Sequence, residues 1–105
     1  MRCNKYGAIK TTVDGIKFDS KREAARYCEL KLMEKAGIID SLYLQPRYDI
    51  VVNGQKICFY KADFKYFDSE LKKWIIEDVK GMKTPVYNLK KKLVKACHNI
   101  DIAEV

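Results

Sequence analysis

The spacing of hydrophobic and polar positions changes period several times along the chain, and each change marks an element. Lys10 to Phe18 is rich in β-formers on both sides of Asp14-Gly15, a pair suited to a two-residue type I′ turn, and reads as a small hairpin. From Lys21 to Ala36 the spacing becomes helical. Ser20 is a suitable N-cap, Glu23 completes Ser-x-x-Glu, and Gly37 supplies the stop. Ala24, Cys28 and Leu32 form an apolar row on this helix, which Ala25 and Met33 widen.

Leu42 to Leu44 then begins a sheet that Tyr48 to Val52 continues, with a kink or edge at Pro46. Asn53-Gly54 turns the chain into a return strand, Ile57 to Phe67. Asp68-Ser69-Glu70 turns it again into Trp74 to Lys80, which Gly81 ends. Pro85 suits the first turn of a second helix running to about Cys97, with Val86, Leu89, Leu93 and Ala96 as its apolar stripe. Ile100 to Val105 alternates as a last short strand. The order is hairpin–α–β–β–β–α–β, without internal repeat, long linker or low-complexity segment.

The length, 105 residues, predicts a single domain with a modest core that dimerisation would help. A hydrophobic share of 48% beside 33% charged residues excludes a disordered chain. No apolar run approaches the roughly 20 residues that span a bilayer, and the start lacks a signal-peptide core, so no membrane partner and a cytoplasmic location are expected. Residues 1 to 6 read as a mobile basic tail, with Arg2 and Lys5 available to phosphates. Lys and Arg number 21 against 14 acids, and the net charge of +7 points to a polyanion, above all nucleic acid. Cys3, Cys28, Cys58 and Cys97 are too widely spaced for a zinc site and read as reduced thiols, some of them buried. His98, the one histidine, sits at a helix end, where capping or solvation is the expected role.

Candidate chemistry lies in Lys61-Ala62-Asp63-Phe64 and Ile75-Ile76-Glu77-Asp78-Val79-Lys80-Gly81. If the two strands pair, Asp63 and Asp78 come within the span of a divalent cation, with the Val79 carbonyl as a further oxygen donor. Such a cation activates water and stabilises charge on a scissile phosphate, while Lys80 orients the water or polarises the phosphate. Period-2 alternation puts Asp78 and Lys80 on one face with Ile76, and Glu77 on the other with Ile75 and Val79. Asp78 is therefore the ligand and Glu77 the secondary candidate, which needs a rim position or a cationic partner. Glu23 reads either as a helix-capping device or as a third acid aimed at the site. For charged residues on strands the plain alternative is a solvated sheet face. The apolar flanks Ile75, Ile76 and Val79 argue against it, because bare charge is costly on a partly buried strand.

Together with the order of elements, Phe18-Asp19-Ser20-Lys21-Arg22-Glu23-Ala24, Gln45-Pro46, Ala62-Asp63-Phe64 and Glu77-Asp78-Val79-Lys80-Gly81 resemble the PD-(D/E)xK nuclease superfamily. They look closest to small phage-encoded members, and are similar in plan to archaeal Holliday-junction resolvases and transposon end-nicking subunits. The resemblance covers about residues 6 to 105. It implies an α/β (α+β) restriction-endonuclease-like core with a mixed central sheet flanked by helices. It also implies a metal site from Asp63, Asp78 and Lys80, often joined by the helical Glu23, with Mg²⁺ as cofactor and Mn²⁺ as a substitute. Ala62 departs from the motif's proline, and Asp78 stands where many members carry glutamate.

The function expected on this basis is Mg²⁺-dependent endonucleolytic cleavage of DNA, branched or duplex, by a homodimer in the cytoplasm of a phage-infected bacterial cell, alongside phage replication or recombination proteins. Lys83, Thr84, Tyr87, Lys90, Lys91 and Lys95 are expected to follow a phosphate backbone, with Lys21 and Arg22 in a second basic area beside Glu23. The alternatives are a nickase or partner-guided nuclease subunit, and a non-catalytic basic DNA-binding or phage-assembly module whose acids are structural.

Overall fold

The computed structural model describes residues 10–80 and 83–105. The expected basic tail, Cys3, and the strand end at Gly81 lie outside the described residues. The chain forms β1 (Thr11–Val13), β2 (Ile16–Phe18), α1 (Lys21–Lys35), β3 (Ile39–Leu44), β4 (Arg47–Val52), β5 (Gln55–Lys61), β6 (Phe64–Asp68), β7 (Lys73–Asp78), α2 (Pro85–His98) and β8 (Ile102–Glu104). The fold is mixed α+β. Its four-stranded sheet has the order β3-β6-β7-β8, antiparallel except for the parallel β7–β8 pair that α2 connects. Two two-stranded ladders, β1-β2 and β4-β5, accompany it. Among the described residues no helix is long and apolar enough to cross a membrane.

Both two-residue turns form as their residues dictate. Asp14 and Gly15 have φ of 52° and 75°, and Asn53 and Gly54 have 52° and 76°, the paired positive values of a type I′ turn. Helix α1 starts at Ser20, whose Oγ accepts the Glu23 N–H at 3.1 Å. Helix α2 starts with Thr84 capping the Tyr87 N–H at 3.1 Å and ends on Asn99 in the left-handed region.

The expected strand Ile57 to Phe67 is broken. Arg47 to Lys61 and Leu44 to Phe64 are both paired, but the ladder bends between them, at Gln45-Pro46 against Ala62-Asp63. Proline has no N–H to contribute, and Gln45 takes a φ of 52°. The crossing is held by the Gln45 N–H on the Asp63 carbonyl, 2.9 Å, and the Ala62 N–H on the Pro46 carbonyl, 3.0 Å. One long hairpin thus becomes a base, β3 and β6, in the main sheet and an arm, β4 and β5, bent away from it. Asp63 sits at the bend rather than inside a strand. Likewise β7 ends at Asp78, so Lys80 lies just past the strand that was expected to carry it.

The main sheet separates two apolar clusters. One packs Phe18, Ala24, Tyr27, Leu30, Ile39, Phe64 and Tyr66 between α1 and the sheet. The other packs Ile50, Tyr60, Ala62, Ile76, Tyr87, Val94 and Ile102 between α2, the arm and the opposite sheet face. Burying each large side chain is worth about 1.5–3 kcal/mol. Both helices bury a different stripe from the one their apolar spacing suggests. On α1, Ala24 is buried as expected, but Tyr27 and Leu30 complete the face while Ala25, Cys28 and Leu32 are exposed. On α2, Tyr87 and Val94 are buried, Leu93 is half-buried, and Val86, Leu89 and Ala96 face outward. In each helix a tyrosine, with an apolar ring and a polar tip, is part of the buried face. The Tyr27 hydroxyl donates to Asp14 at 3.0 Å, tying the β1–β2 turn to α1.

Candidate active site

Strand pairing brings the two acids together. Phe64 lies opposite Glu77, so the next step of the antiparallel ladder puts Asp63 opposite Asp78. The Asp63 N–H donates to the Glu77 carbonyl at 3.1 Å, and the Asp63 carboxylate accepts the Val79 N–H at 2.7 Å. Asp78 is 2% exposed. It accepts a hydrogen bond from the Tyr60 hydroxyl of the arm, and Lys80 Nζ lies 3.3 Å from its Oδ2.

Two carboxylates facing each other off water cannot both carry full charge at ordinary pH. Burial, then a hydrogen bond shared with Asp78, raise the Asp63 pKa to about 8, against the opposing pull of the Val79 amide. Glu23, on the first turn of α1, is buried and joins the same field. Its pKa is raised first by burial, then by Asp19 and Asp78, while Lys80 and Lys61 draw it down. Among the described residues no return bond runs from the Ser20 N–H to the Glu23 carboxylate, so the Ser-x-x-Glu box is closed on one side only.

Glu77 is turned away, as strand alternation requires. It is 1% exposed, and Arg26 of α1 grips it with two bonds, Nε to Oε1 at 2.7 Å and Nη2 to Oε2 at 2.8 Å. The Tyr66 hydroxyl adds a third, at 2.5 Å. The bond to Glu77 holds the Arg26 guanidinium in its charged form. With both oxygens engaged on the α1 side of the sheet, Glu77 serves as an anchor beneath the site rather than as a donor beside Asp63.

Several basic residues on and just before α2 are also committed in ways that their sequence hides. Lys83 and Lys91 converge on Glu104 of β8, at 2.9 and 3.3 Å, and the Tyr87 hydroxyl donates to the same carboxylate at 2.7 Å. These bonds, Tyr87 first and then Lys83, lower the Glu104 pKa to about 2. Tyr87 is buried, and its ring carries Lys80 Nζ 4.2 Å from its centroid, so it positions the site lysine rather than meeting a backbone at the surface. Lys95 pairs with Asp101 at 3.0 Å, and Lys90 lies 5.6 Å above the Phe59 ring. Lys21, Arg22 and Thr84 are exposed. His98 reaches the arm, with Nε2 2.6 Å from the Asp49 carbonyl oxygen and its ring against Tyr48. Cys28 and Cys97 are exposed and Cys58 is half-buried, all as free thiols, so none of the three fills a fully buried place.

Tyr60, Glu104 and Arg26 are the site residues that sequence reasoning misses, and Tyr87 takes a different place from the backbone contact expected of it. The one available signal was the need of Glu77 for a cation, which named no partner. As a cation site, the centre supplies two carboxylates with hard oxygen donors. Among the described residues no set of three or more His, Cys, Asp or Glu side chains gathers as a metal-binding group. Magnesium is commonly held by one or two carboxylates while keeping several waters, and a carboxyl pair forced to share a proton is a donor set that a divalent cation relieves. The residues present therefore fit the group.

Comparison with curated proteins and with solved structures gives no match for this chain. A family model described as a protein of unknown function, DUF1064, matches residues 3–102, and the chain belongs to that family.

Proposed function

We propose that this protein is a Mg²⁺-dependent DNA endonuclease of the PD-(D/E)xK type. One observation carries the reading: Asp63 and Asp78, fifteen residues apart in sequence, stand opposite each other at a strand break, with the Asp63 carboxylate held by the Val79 amide at 2.7 Å and Lys80 Nζ 3.3 Å from Asp78. The order of elements supports it. If the β4–β5 arm is taken as an extension of the β3–β6 hairpin, the remainder runs α1-β3-β6-β7-α2-β8, the helix–three strands–helix–strand plan of a restriction-endonuclease-like core.

Asp63 and Asp78 would hold the cation, with Glu23 and the Val79 carbonyl as neighbouring oxygen donors. When bound, it supplies Lewis acidity toward the scissile phosphate and a lowered pKa for water. The Tyr60 hydroxyl fixes the Asp78 carboxylate, and the Val79 amide fixes that of Asp63. Lys80, held over the Tyr87 ring, offers its ammonium to a phosphate oxygen and offsets negative charge as it grows there. The net charge of +7 favours a polyanionic substrate.

Within this class we propose structure-selective cutting of branched DNA by a homodimer. A four-way junction needs two symmetric nicks, and two protomers related by a twofold axis supply two equivalent sites. Linear duplex, single-stranded and four-way-junction DNA, each incubated with Mg²⁺ or EDTA, test both levels. Mg²⁺-dependent cutting with preference for the junction is expected. No Mg²⁺-dependent cutting of any substrate overturns the nuclease reading, and equal cutting of all three overturns the branched-DNA reading alone.

A further inference from the structure

The other end of β7 carries a second arrangement that the cation chemistry does not use. Trp74 and Tyr43 are 48% and 56% exposed, on the sheet face that also bears Asp78. Their ring centroids are 6.3 Å apart, Phe67 meets Trp74 edge-on at 5.4 Å, and Lys65 Nζ lies 4.9 Å from the Trp74 centroid and 6.0 Å from that of Tyr43. A cavity of about 550 Å³ adjoins them, lined by Tyr48, Lys65, Lys73, Trp74 and Asn99 among others. Asp101, an acid on that lining, is taken by Lys95 at 3.0 Å.

Backbone irregularity puts Tyr43 on this face. Regular alternation from the buried Ile39 would point residue 43 toward α1. Instead the β3–β6 register shifts between Asp40 and Tyr43, and Ser41 takes a φ of 56°. Leu42 and Leu44 therefore pack against the α1 cluster, and Tyr43 lies opposite Lys65. The Leu42 N–H finds the Glu34 carboxylate at 3.1 Å.

Exposed aromatic faces with cations beside them suit a base and its phosphate. Among the described residues Lys65 and Lys73 make no ion pair, unlike Lys83, before α2, and Lys91 and Lys95 on it. A purely apolar partner would leave those two ammonium groups buried without anions, and a second copy of this face would add two more, whereas a nucleic-acid strand brings a phosphate with each base. Bases inside a duplex have both faces covered, so the site suits an unpaired base.

We propose that Tyr43, Lys65 and Trp74, with the adjoining cavity, form a stacking site for an unpaired nucleobase, through which the protein holds a single-stranded segment of its substrate. The site rests on the nuclease reading for its partner but not for its chemistry. Trp74 and Asp78 are four residues apart on β7, about 13 Å at the usual strand rise, or about four stacked base steps. A strand bound at both points is held by its bases beside the bond to be cut.

Trp74 is the only tryptophan, so its fluorescence reports the site directly. Titration with oligothymidylate in EDTA is expected to quench it saturably. Tyr43→Leu and Trp74→Leu, checked for an unchanged thermal melt, are expected to weaken binding of the labelled oligonucleotide, read by anisotropy, about tenfold or more. Affinity for blunt duplex stays unchanged in the same variants. Absent quenching, or unchanged oligonucleotide affinity, with Mg²⁺-dependent cutting of duplex intact, overturns this site alone. A protein that binds no nucleic acid overturns both this site and the nuclease reading. A dimer that Tyr43→Leu dissociates without altering oligonucleotide affinity assigns the face to a second copy and overturns the proposal.

Discussion

The Asp63 carboxylate accepts the Val79 N–H at 2.7 Å, which ties the acid at the hairpin bend to the chain between Asp78 and Lys80. The bond spans two elements and sets the spacing of the three groups on which the proposed chemistry depends. It also makes the charge state of Asp63 a property of the fold.

Stability should therefore depend on pH through Asp63. Its pKa is raised by burial and by Asp78 from 3.8 to about 8. Between those values the folded state holds a proton that the unfolded chain releases, so stability is greatest below the window and falls as pH rises through it. Asp63→Asn removes this titration and flattens the fall. Urea midpoints across pH in EDTA for the two proteins check it, and identical pH slopes would contradict it. Saturating Mg²⁺ is expected to flatten the wild-type slope as well, because the cation replaces the proton.

Arg26→Met strands the Glu77 carboxylate inside the protein with Tyr66 as its remaining side-chain partner. A cost of about 3 kcal/mol or more in urea unfolding is expected. Adding Glu77→Leu should recover most of that loss, since an apolar pair of similar size avoids burying charge. A single variant as stable as wild type would show that the pair is not desolvated as described.

The buried faces of the helices give a plain contrast. Leu30→Ala should cost about 2–5 kcal/mol, whereas Leu32→Gln, on the outward side of the same helix, should stay within about 0.5 kcal/mol. Equal losses would restore the row that the apolar spacing alone suggests.

Legibility from sequence divided along physical lines. Asp14-Gly15 and Asn53-Gly54 marked their turns because few residues accept two successive positive φ values. Alternation separated Asp78 from Glu77 correctly, since a one-residue step on a strand always changes face. The helix faces were illegible because Cys28-Leu32 and Val86-Leu89 are as well spaced as the true stripes, while Tyr27 and Tyr87 carry polar tips that hide their burial. The Arg26–Glu77 pair joins residues 51 apart, and no local pattern announces it. The bulge at Ser41 has no signal in its local sequence, whereas Pro46 announced a kink in its own strand but not the break it imposes on the facing strand at Asp63.

Lys80→Gln keeps an unbranched side chain with an N–H donor, somewhat shorter, but removes its charge beside Asp78. Turnover on junction DNA is expected to fall by about two orders of magnitude, with little change in DNA affinity. Single-turnover rates and binding in Ca²⁺ separate the two effects. A variant that loses affinity in proportion to rate would make Lys80 a binding residue only.

The central claim is that Asp63 and Asp78 form a cation site for phosphodiester hydrolysis, and Asp78→Asn tests it most directly because it removes a ligand charge with little change of shape. Wild type and variant, purified identically, are assayed for cleavage of four-way-junction DNA in Mg²⁺, with binding measured in parallel. The expected result is cleavage by wild type that EDTA abolishes, and loss of about two orders of magnitude or more in the variant with binding retained. Full activity in Asp78→Asn would contradict the claim.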